Sequence, residues 1–424
     1  MEHAFFHPTK ADNEALDYHA RPPHGKTATT LTKPLDSAHD LALAYSPGVA
    51  APCRMIAHDP AAANRYTNRG NLVAVITNGS ALLGLGNLGP LPSKPVMEGK
   101  CMLLKKLAAV DGFDLELDEH DPDRLVELIR ALSIGFGAIL LEDIKAPDCF
   151  YIERRLKELL PIPVLHDDQH GTAVVVAAAV INAAKVAGKA IASLRTVVVG
   201  AGAAAIASAK MLLQLGIHAE RMVMVDSLGV ITHERALLPD YKRPFATSRR
   251  ITTLQEALVD ADLVVGASKG NLINEEMVRT MAMRPIVLAL SNPDPELPPD
   301  MARRVRPDLI YATGRSDLKN QVNNALVMPY LFRAALDCEA RMFNDEMLLA
   351  AAHALAAVAR EVSPQTKTTF GPEYLLPELG DPRLRERIVP AVIEAAIKSG
   401  EERVKRKEER AKSKEQRAKS EEEE

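Results

Sequence analysis

Residues 134–173 read IGFGAILLEDIKAPDCFYIERRLKELLPIPVLHDDQHGTA, and two acid pairs within them, Glu142-Asp143 and Asp167-Asp168, each close a hydrophobic run. The segment between the runs, APDCFYIERRLKELL, spaces its apolar residues as one amphipathic helix does, so the stretch predicts strand, helix, strand. Such a crossover joins parallel strands and delivers both acid pairs to the same carboxyl-terminal edge of a sheet, where α/β proteins bind ligands. Four carboxylates converging there repel one another unless a cation holds them. An all-oxygen donor set suits Mg²⁺ or Mn²⁺ better than zinc. The competing reading is that the acids only cap helix starts, a common role of Asp. Two pairs in tandem favour the metal.

The alternation continues on both sides, which makes the expected fold class α/β. LVAVIT (72–77) and GAILLED (137–143) read as strands, and VMEGKCMLLKKLAAV (96–110) and PDRLVELIRALS (122–133) as helices. A small-residue helix, TAVVVAAAVINAAKVAG (172–188), leads into a second set of strands: TVVVG, RMVMVD, DLVVGAS and IVLALSN. Residues 1–30 are expected to form a polar arm, 31–165 the N-terminal α/β substrate and metal domain, and 166–315 a doubly wound Rossmann-type dinucleotide-binding domain. Residues 316–400 are expected to be helices that pack back on the catalytic cleft. The tail, 401–424, has nine basic and nine acidic residues and almost no apolar face, so it cannot bury a core and is expected to be disordered.

Composition excludes several classes. With 424 residues, 47% hydrophobic and 25% charged, the chain has ordinary globular balance, and a net charge of −4 offers no basic surface for nucleic acid. No apolar run approaches a membrane span, since the richest stretch, 173–181, stops at Asn182, and the amino terminus lacks a signal pattern. Cys53, Cys101, Cys149 and Cys338 are scattered without a CxxC, so neither a zinc knuckle nor a disulfide framework is indicated. A reducing cytoplasm fits this pattern.

Two glycine strings compete for a dinucleotide. Gly84-Leu85-Gly86-Asn87-Leu88-Gly89 matches GxGxxG, but Pro90, Pro92 and Pro95 follow it and are expected to prevent the helix that the motif requires. Those glycines are expected to shape a loop of the substrate pocket. Gly200, Gly202 and Ala205 match the looser GxGxxA between a strand and a helix, where backbone approach and the helix amino terminus bind a pyrophosphate. Asp226 ends the next strand, 24 residues beyond Gly202, near the spacing of a ribose-binding acid. Its charge leans the expectation to NAD over NADP, for neither Ser227 nor Leu228 supplies a cation for a 2′-phosphate, although Arg235 could reach.

Taken together, LALAYSPGVAAPC (41–53), LGLGNLGPLPSKPVMEGK (83–100), LLEDI (140–144), LHDDQHGTA (165–173), LSNPDPE (290–296) and GRSDLKNQVNNAL (314–326) resemble bacterial malic enzymes. The resemblance spans about 30–400 and is strongest to the malic enzyme half of forms fused to a phosphotransacetylase-like domain. The sequence stops at the charged tail, so that domain's regulation is not expected to carry over. The resemblance implies oxidative decarboxylation of (S)-malate to pyruvate and CO₂, reduction of NAD(P)⁺, a requirement for Mg²⁺ or Mn²⁺, and a homodimer or higher homo-oligomer.

By the same resemblance, Lys100 is the base that takes the C2 hydroxyl proton, and Glu142, Asp143 and Asp168 are the metal ligands. Tyr45 is the acid that protonates C3 of the enol, and Asn292 and Asn324 contact substrate or nicotinamide. A lysine must lose its proton to act as a base, so burial or a nearby cation is expected to lower its pKa. Asp167 is expected to orient Lys100 or a bound water. Alone, Tyr45 could be a packing residue, Lys94 a rival base, and either asparagine a turn residue. His166 and His170 tempt a zinc reading, but oxygen donors outnumber them. Larger eukaryotic relatives carry an arginine where this chain has Ala81, which leaves Ser80, Arg54, Asn292 and backbone near Gly84 as candidates for the substrate carboxylate. Lys269 has no settled role. Another NAD(P)-linked 2-hydroxy acid or amino acid dehydrogenase would share 200–226 without needing tandem acids, and a non-catalytic nucleotide-sensing relative would need neither Tyr45 nor Lys100.

Overall fold

Ten strands form the two expected sheets in a computed structural model that describes residues 9–82, 85–362 and 367–401. They are β1 (Leu72–Thr77), β2 (Asp111–Glu116), β3 (Ala138–Leu141), β4 (Val164–His166), β5 (Thr196–Val199), β6 (Met222–Asp226), β7 (Gly229–Val230), β8 (Leu263–Gly266), β9 (Ile286–Ala289) and β10 (Ile310–Thr313). The first sheet has the order β2-β1-β3-β4 and is parallel throughout. The second has the order β10-β9-β8-β5-β6-β7, parallel except for the short β7. Its order reverses between β5 and β8, which opens a crevice at their carboxyl ends.

The strand-helix-strand unit forms as read. β3, the helix Asp148–Leu159 and β4 put Ile139 opposite Val164 and Leu141 opposite His166. Apart from Ala138 and His166 the strands' residues are Val, Ile and Leu, without alternation because helices cover both faces of the sheet. The helix Asp167–Ala187 follows β4 directly and runs through the middle of the molecule, with Val174, Ala178 and Val180 wholly buried. It ends at Gly188, whose φ of 69° suits the left-handed cap. It is also the one described helix long and apolar enough to cross a membrane, against the expectation that no run approaches that length. Here it packs between the helices Ala203–Gln214 and Asp345–Arg360. Asn182 does not stop it, because its side chain donates to Ala356 O and Leu375 O and accepts from Arg360 Nε.

A second departure concerns the prolines. A helix does follow the first glycine string, Pro90–Ala108, and it starts on Pro90. Proline at the first helical position loses an N–H that has no intrahelical partner anyway, and only Pro95 costs an interior bond. The prolines therefore do not prevent a helix after that string, and Leu85 in the loop ahead of it lines the cleft described below. Among the last helices, Met328–Asp337 packs on Pro90–Ala108, while Asp345–Arg360 and Pro382–Ser399 pack on each other.

At the other end, the expected arm holds a helix, Lys10–Ala20, with a capping box from Thr9. Exposure continues well beyond residue 30: among the described residues from Thr9 to Leu72 none is buried, and the first buried one is Val73. The tail beyond Glu401 lies outside the described residues.

Candidate active site

Glu142 and Asp143 follow β3, and Asp167 and Asp168 open the helix after β4, so neighbouring parallel strands bring all four acids to one edge. Glu142, Asp143 and Asp168 each offer an oxygen within 4.8 Å of the others. Asp143 holds a left-handed backbone with φ 53°, a conformation costing about 1–2 kcal/mol in most residues and tolerated by Asp. In it the Asp143 N–H donates to Asp168 Oδ2 at 2.9 Å, and the carbonyl accepts from Ala81 N–H at 2.9 Å. Glu142 Oε2 is buried without a hydrogen-bond donor. Burial pushes the Glu142 pKa well above the ordinary carboxylate range, and Asp168, Asp167 and Asp143 push it further against the pull of Lys100.

Asp167 turns away from this group. Its Oδ2 accepts from Lys100 Nζ at 2.6 Å, and the same ammonium lies 3.1 Å from Glu142 Oε1 and donates to Asn324 Oδ1 at 3.1 Å. Asp167 packs against Gly171, one turn along its own helix, where any Cβ would collide with the Asp167 carboxylate. The expected lowering of the Lys100 pKa is met only by half. Burial does pull it down, but Asp167 and Glu142 outweigh burial and hold it well above the ordinary lysine value. One lysine among four carboxylates leaves negative charge uncompensated, so the three clustered acids fit a divalent cation taking oxygen ligands.

The histidines serve another acid. Glu153, on the buried side of the helix Asp148–Leu159, accepts from His166 N–H at 3.0 Å and Gln169 Nε2 at 3.3 Å and sits 2.8 Å from His170 Nε2 and 2.9 Å from Lys157 Nζ. Burial alone would raise its pKa, but His170, Lys157 and His166 hold it well below the carboxylate range. Glu153 thereby ties the helix Asp148–Leu159 to the start of the ligand-bearing helix. It escaped the sequence reading, although its place four residues after Cys149 and three before Leu156 puts it on the apolar face.

On the nucleotide side, Gly200 has φ 119°, and a Cβ there would strike Ala267 O at the end of β8. Gly202 caps the helix Ala203–Gln214 without a side-chain acceptor, and nothing lies within 4 Å of where its Cβ would be, so an anion could approach the free N–H groups. Ala205 is buried and permits the helix to pack closely. Asp226 is not the free acid expected. Arg235 Nη1 reaches both its oxygens at 2.9 Å and Lys242 Nζ reaches Oδ2 at 2.8 Å. The sequence marks Arg235 only as able to reach a 2′-phosphate, and Lys242 escapes notice because it lies in the irregular stretch after β7. The buried Glu296, also missed, accepts from Ser268 N–H at 2.9 Å and Ser291 N–H at 3.1 Å and so joins the loops after β8 and β9.

Both halves open on one cleft of about 1020 Å³. Lys100, Glu142, Asp143, Asp168, Asn292 and Asn324 line it together with Ala81 and Leu85. Tyr45 does not: it is 71% exposed at the end of the helix Ala38–Ala44 and is absent from the lining. Nor do the carboxylate candidates assemble. Ser80 bonds Asn78 at 2.6 Å, Arg54 is exposed on the helix Ala50–His58, and Gly84 lies outside the described residues. Lys269 is exposed and does not line the cleft.

The sequence matches two family models, described as malic enzyme, N-terminal domain, over residues 24–157 and malic enzyme, NAD binding domain, over residues 169–397. An NADP-dependent malic enzyme of Halomonas elongata is 52% identical over 397 residues, covering 92% of this chain and 94% of its own. An NAD-dependent malic enzyme of Rhizobium meliloti is 49% identical over 398 residues, and there the match spans about half of the relative's length, 52%. The crystal structure of a malic enzyme from Pyrococcus horikoshii superimposes with a TM-score of 0.86 at 40% identity and covers 92% of each chain.

Proposed function

Because the chain belongs to the malic enzyme family, we propose that it oxidatively decarboxylates (S)-malate to pyruvate and CO₂ with reduction of NAD(P)⁺ and the help of a divalent cation. The observation carrying this reading is the contact of Lys100 with Asp167 and Glu142, beside the three clustered acids and across the cleft from Asn292 and the β8 and β9 loops. Lys100 takes the C2 hydroxyl proton as hydride leaves for the nicotinamide. Asp167 holds the Nζ on station and offsets the positive charge that develops on Lys100 as the proton arrives. Glu142, Asp143 and Asp168 would hold Mg²⁺ or Mn²⁺, whose charge would favour a neutral Lys100 and supply Lewis-acid stabilisation of negative charge on substrate oxygens. Asn324 orients both Lys100 and substrate, Asn292 contacts the nicotinamide side, and Tyr45 returns a proton to C3.

For the cofactor, the preference we propose is NADP. The lean toward NAD rested on a free Asp226, whereas Arg235 and Lys242 together carry more positive charge than Asp226 can neutralise. A 2′-phosphate would be drawn to that surplus. The same reading is of a cytoplasmic protein that assembles as a homodimer or larger. Malate-dependent cofactor reduction, with NAD⁺ and NADP⁺ compared and Mn²⁺ present or removed, tests the reaction, the metal and the cofactor preference, and light scattering after gel filtration tests the assembly. We expect activity only with metal and a higher kcat/KM for NADP⁺. Unchanged activity after exhaustive chelation would sink the metal reading.

A further inference from the structure

Two deficits of the cleft point outside the folded body. Its described lining contains Lys100 as the only cation and no tyrosine, although malate carries two carboxylates and the enol needs a proton donor. Meanwhile residues 9–72 bury nothing, and Leu41, Leu43, Tyr45, Val49 and Met55 are between 41% and 61% exposed or, for Tyr45, 71%. Helices that leave their apolar side chains in water have lost the burial that would stabilise them. The same segment carries a phenol at Tyr45 and an exposed guanidinium at Arg54, the two chemical types that the cleft lacks. Its lower end is fixed, for Lys26 N–H donates to Glu98 at 3.0 Å and Lys26 Nζ to Pro95 O at 2.7 Å on the helix Pro90–Ala108.

We propose that a second copy of this chain completes the cleft: the segment 27–63 of each subunit crosses to the other and delivers Tyr45, with Arg54, to the partner's Lys100 side. A two-fold pair satisfies both chains at once, since an isologous contact buries each segment and fills each cleft. The proposal rests on Tyr45 being the enol-protonating acid, and the test separates the two ideas.

Mixed dimers are made by co-expression with two affinity tags and purified through both. Tyr45→Phe and Lys100→Ala homodimers should each fall roughly 100-fold or more in malate-dependent pyruvate formation. A mixed dimer of one Tyr45→Phe chain and one Lys100→Ala chain should recover about half of parental activity, because one cleft then holds an intact Lys100 and an intact Tyr45. The crossed arrangement, with both substitutions on one chain and none on the other, should be inactive. Reversal of that pattern, with the crossed dimer half active and the first mixture dead, would show each chain serving itself and overturn the proposal. So would an active monomer. Parental activity in the Tyr45→Phe homodimer would instead remove the acid assignment on which the proposal stands.

Discussion

Glu142 follows β3 and Asp226 ends β6, each an interior strand of its sheet, and their electrostatic surroundings are opposite. Around Glu142, four carboxylates share one lysine, Glu142 Oε2 has no donor, and the buried charge drives the Glu142 pKa upward. Around Asp226, one carboxylate meets an arginine and a lysine, and although burial would raise its pKa, Lys242, the Leu228 N–H and Arg235 hold it below the ordinary range. The first region is short of positive charge and the second short of negative charge. Each imbalance supports the ligand proposed for it, a divalent cation at one sheet edge and a 2′-phosphate at the other.

The strongest way to break the contrast is at Lys100, which alone answers the acids. Lys100→Ala should lower kcat for malate oxidation by roughly 10²–10⁴-fold with dinucleotide binding intact; a variant that turns over like its parent would remove the assigned base. Next comes Arg235→Ala, which should weaken NADP⁺ by about 1.5–3 kcal/mol, roughly 10- to 100-fold in KM, and leave NAD⁺ little changed. Equal losses for both cofactors would mean that Arg235 merely shapes the loop.

Acid titration sharpens the first region. A carboxyl whose pKa is raised in the folded state favours folding when protonated, and that contribution disappears as pH climbs from the unfolded value through the folded one. Glu142 starts from 4.5 and shifts upward, so the metal-free protein should lose stability as pH rises above that value. Mn²⁺ should cancel the loss, making the difference in Tm between loaded and metal-free protein widen with pH, and Glu142→Gln should flatten it. A parental difference independent of pH would contradict the charge deficit. The smallest effect sets the scale: Glu394→Ala, which breaks the solvent-exposed pair with Lys398 on the helix Pro382–Ser399, should leave Tm unchanged within measurement error.

How far these regions were legible follows from the kind of signal each left. β3 and β4 announced themselves because buried parallel strands are uninterrupted apolar runs, and the acids that end them were found with them. β2, DGFDLE, lies at the sheet edge, is only partly buried and carries three acids, so no run marked it. β10, IYAT, is no shorter than β5, β8 or β9 and was missed because Tyr311 and Thr313 interrupt its apolar run. Lys100 and Asp167 are 67 positions apart, yet family-like motifs brought both to notice before their 2.6 Å contact was visible. Arg235 and Lys242 sit in a loop, where side-chain direction has no periodicity to betray it. Tyr45 was found as a residue but not as a place, since spacing along one chain carries no information about which cleft a segment fills.

Gly171 sets a limit on how this enzyme could be hardened. Alanine in place of a mid-helix glycine ordinarily adds about 0.5–1 kcal/mol to a helix, yet here the new methyl would evict the carboxylate that steadies the proton acceptor. The overlap with a buried, ion-paired carboxylate and with Asn324 outweighs that gain, so the usual stabilising exchange would here cost heat tolerance as well as turnover. At this single carbon, durability and rate depend on the same missing methyl.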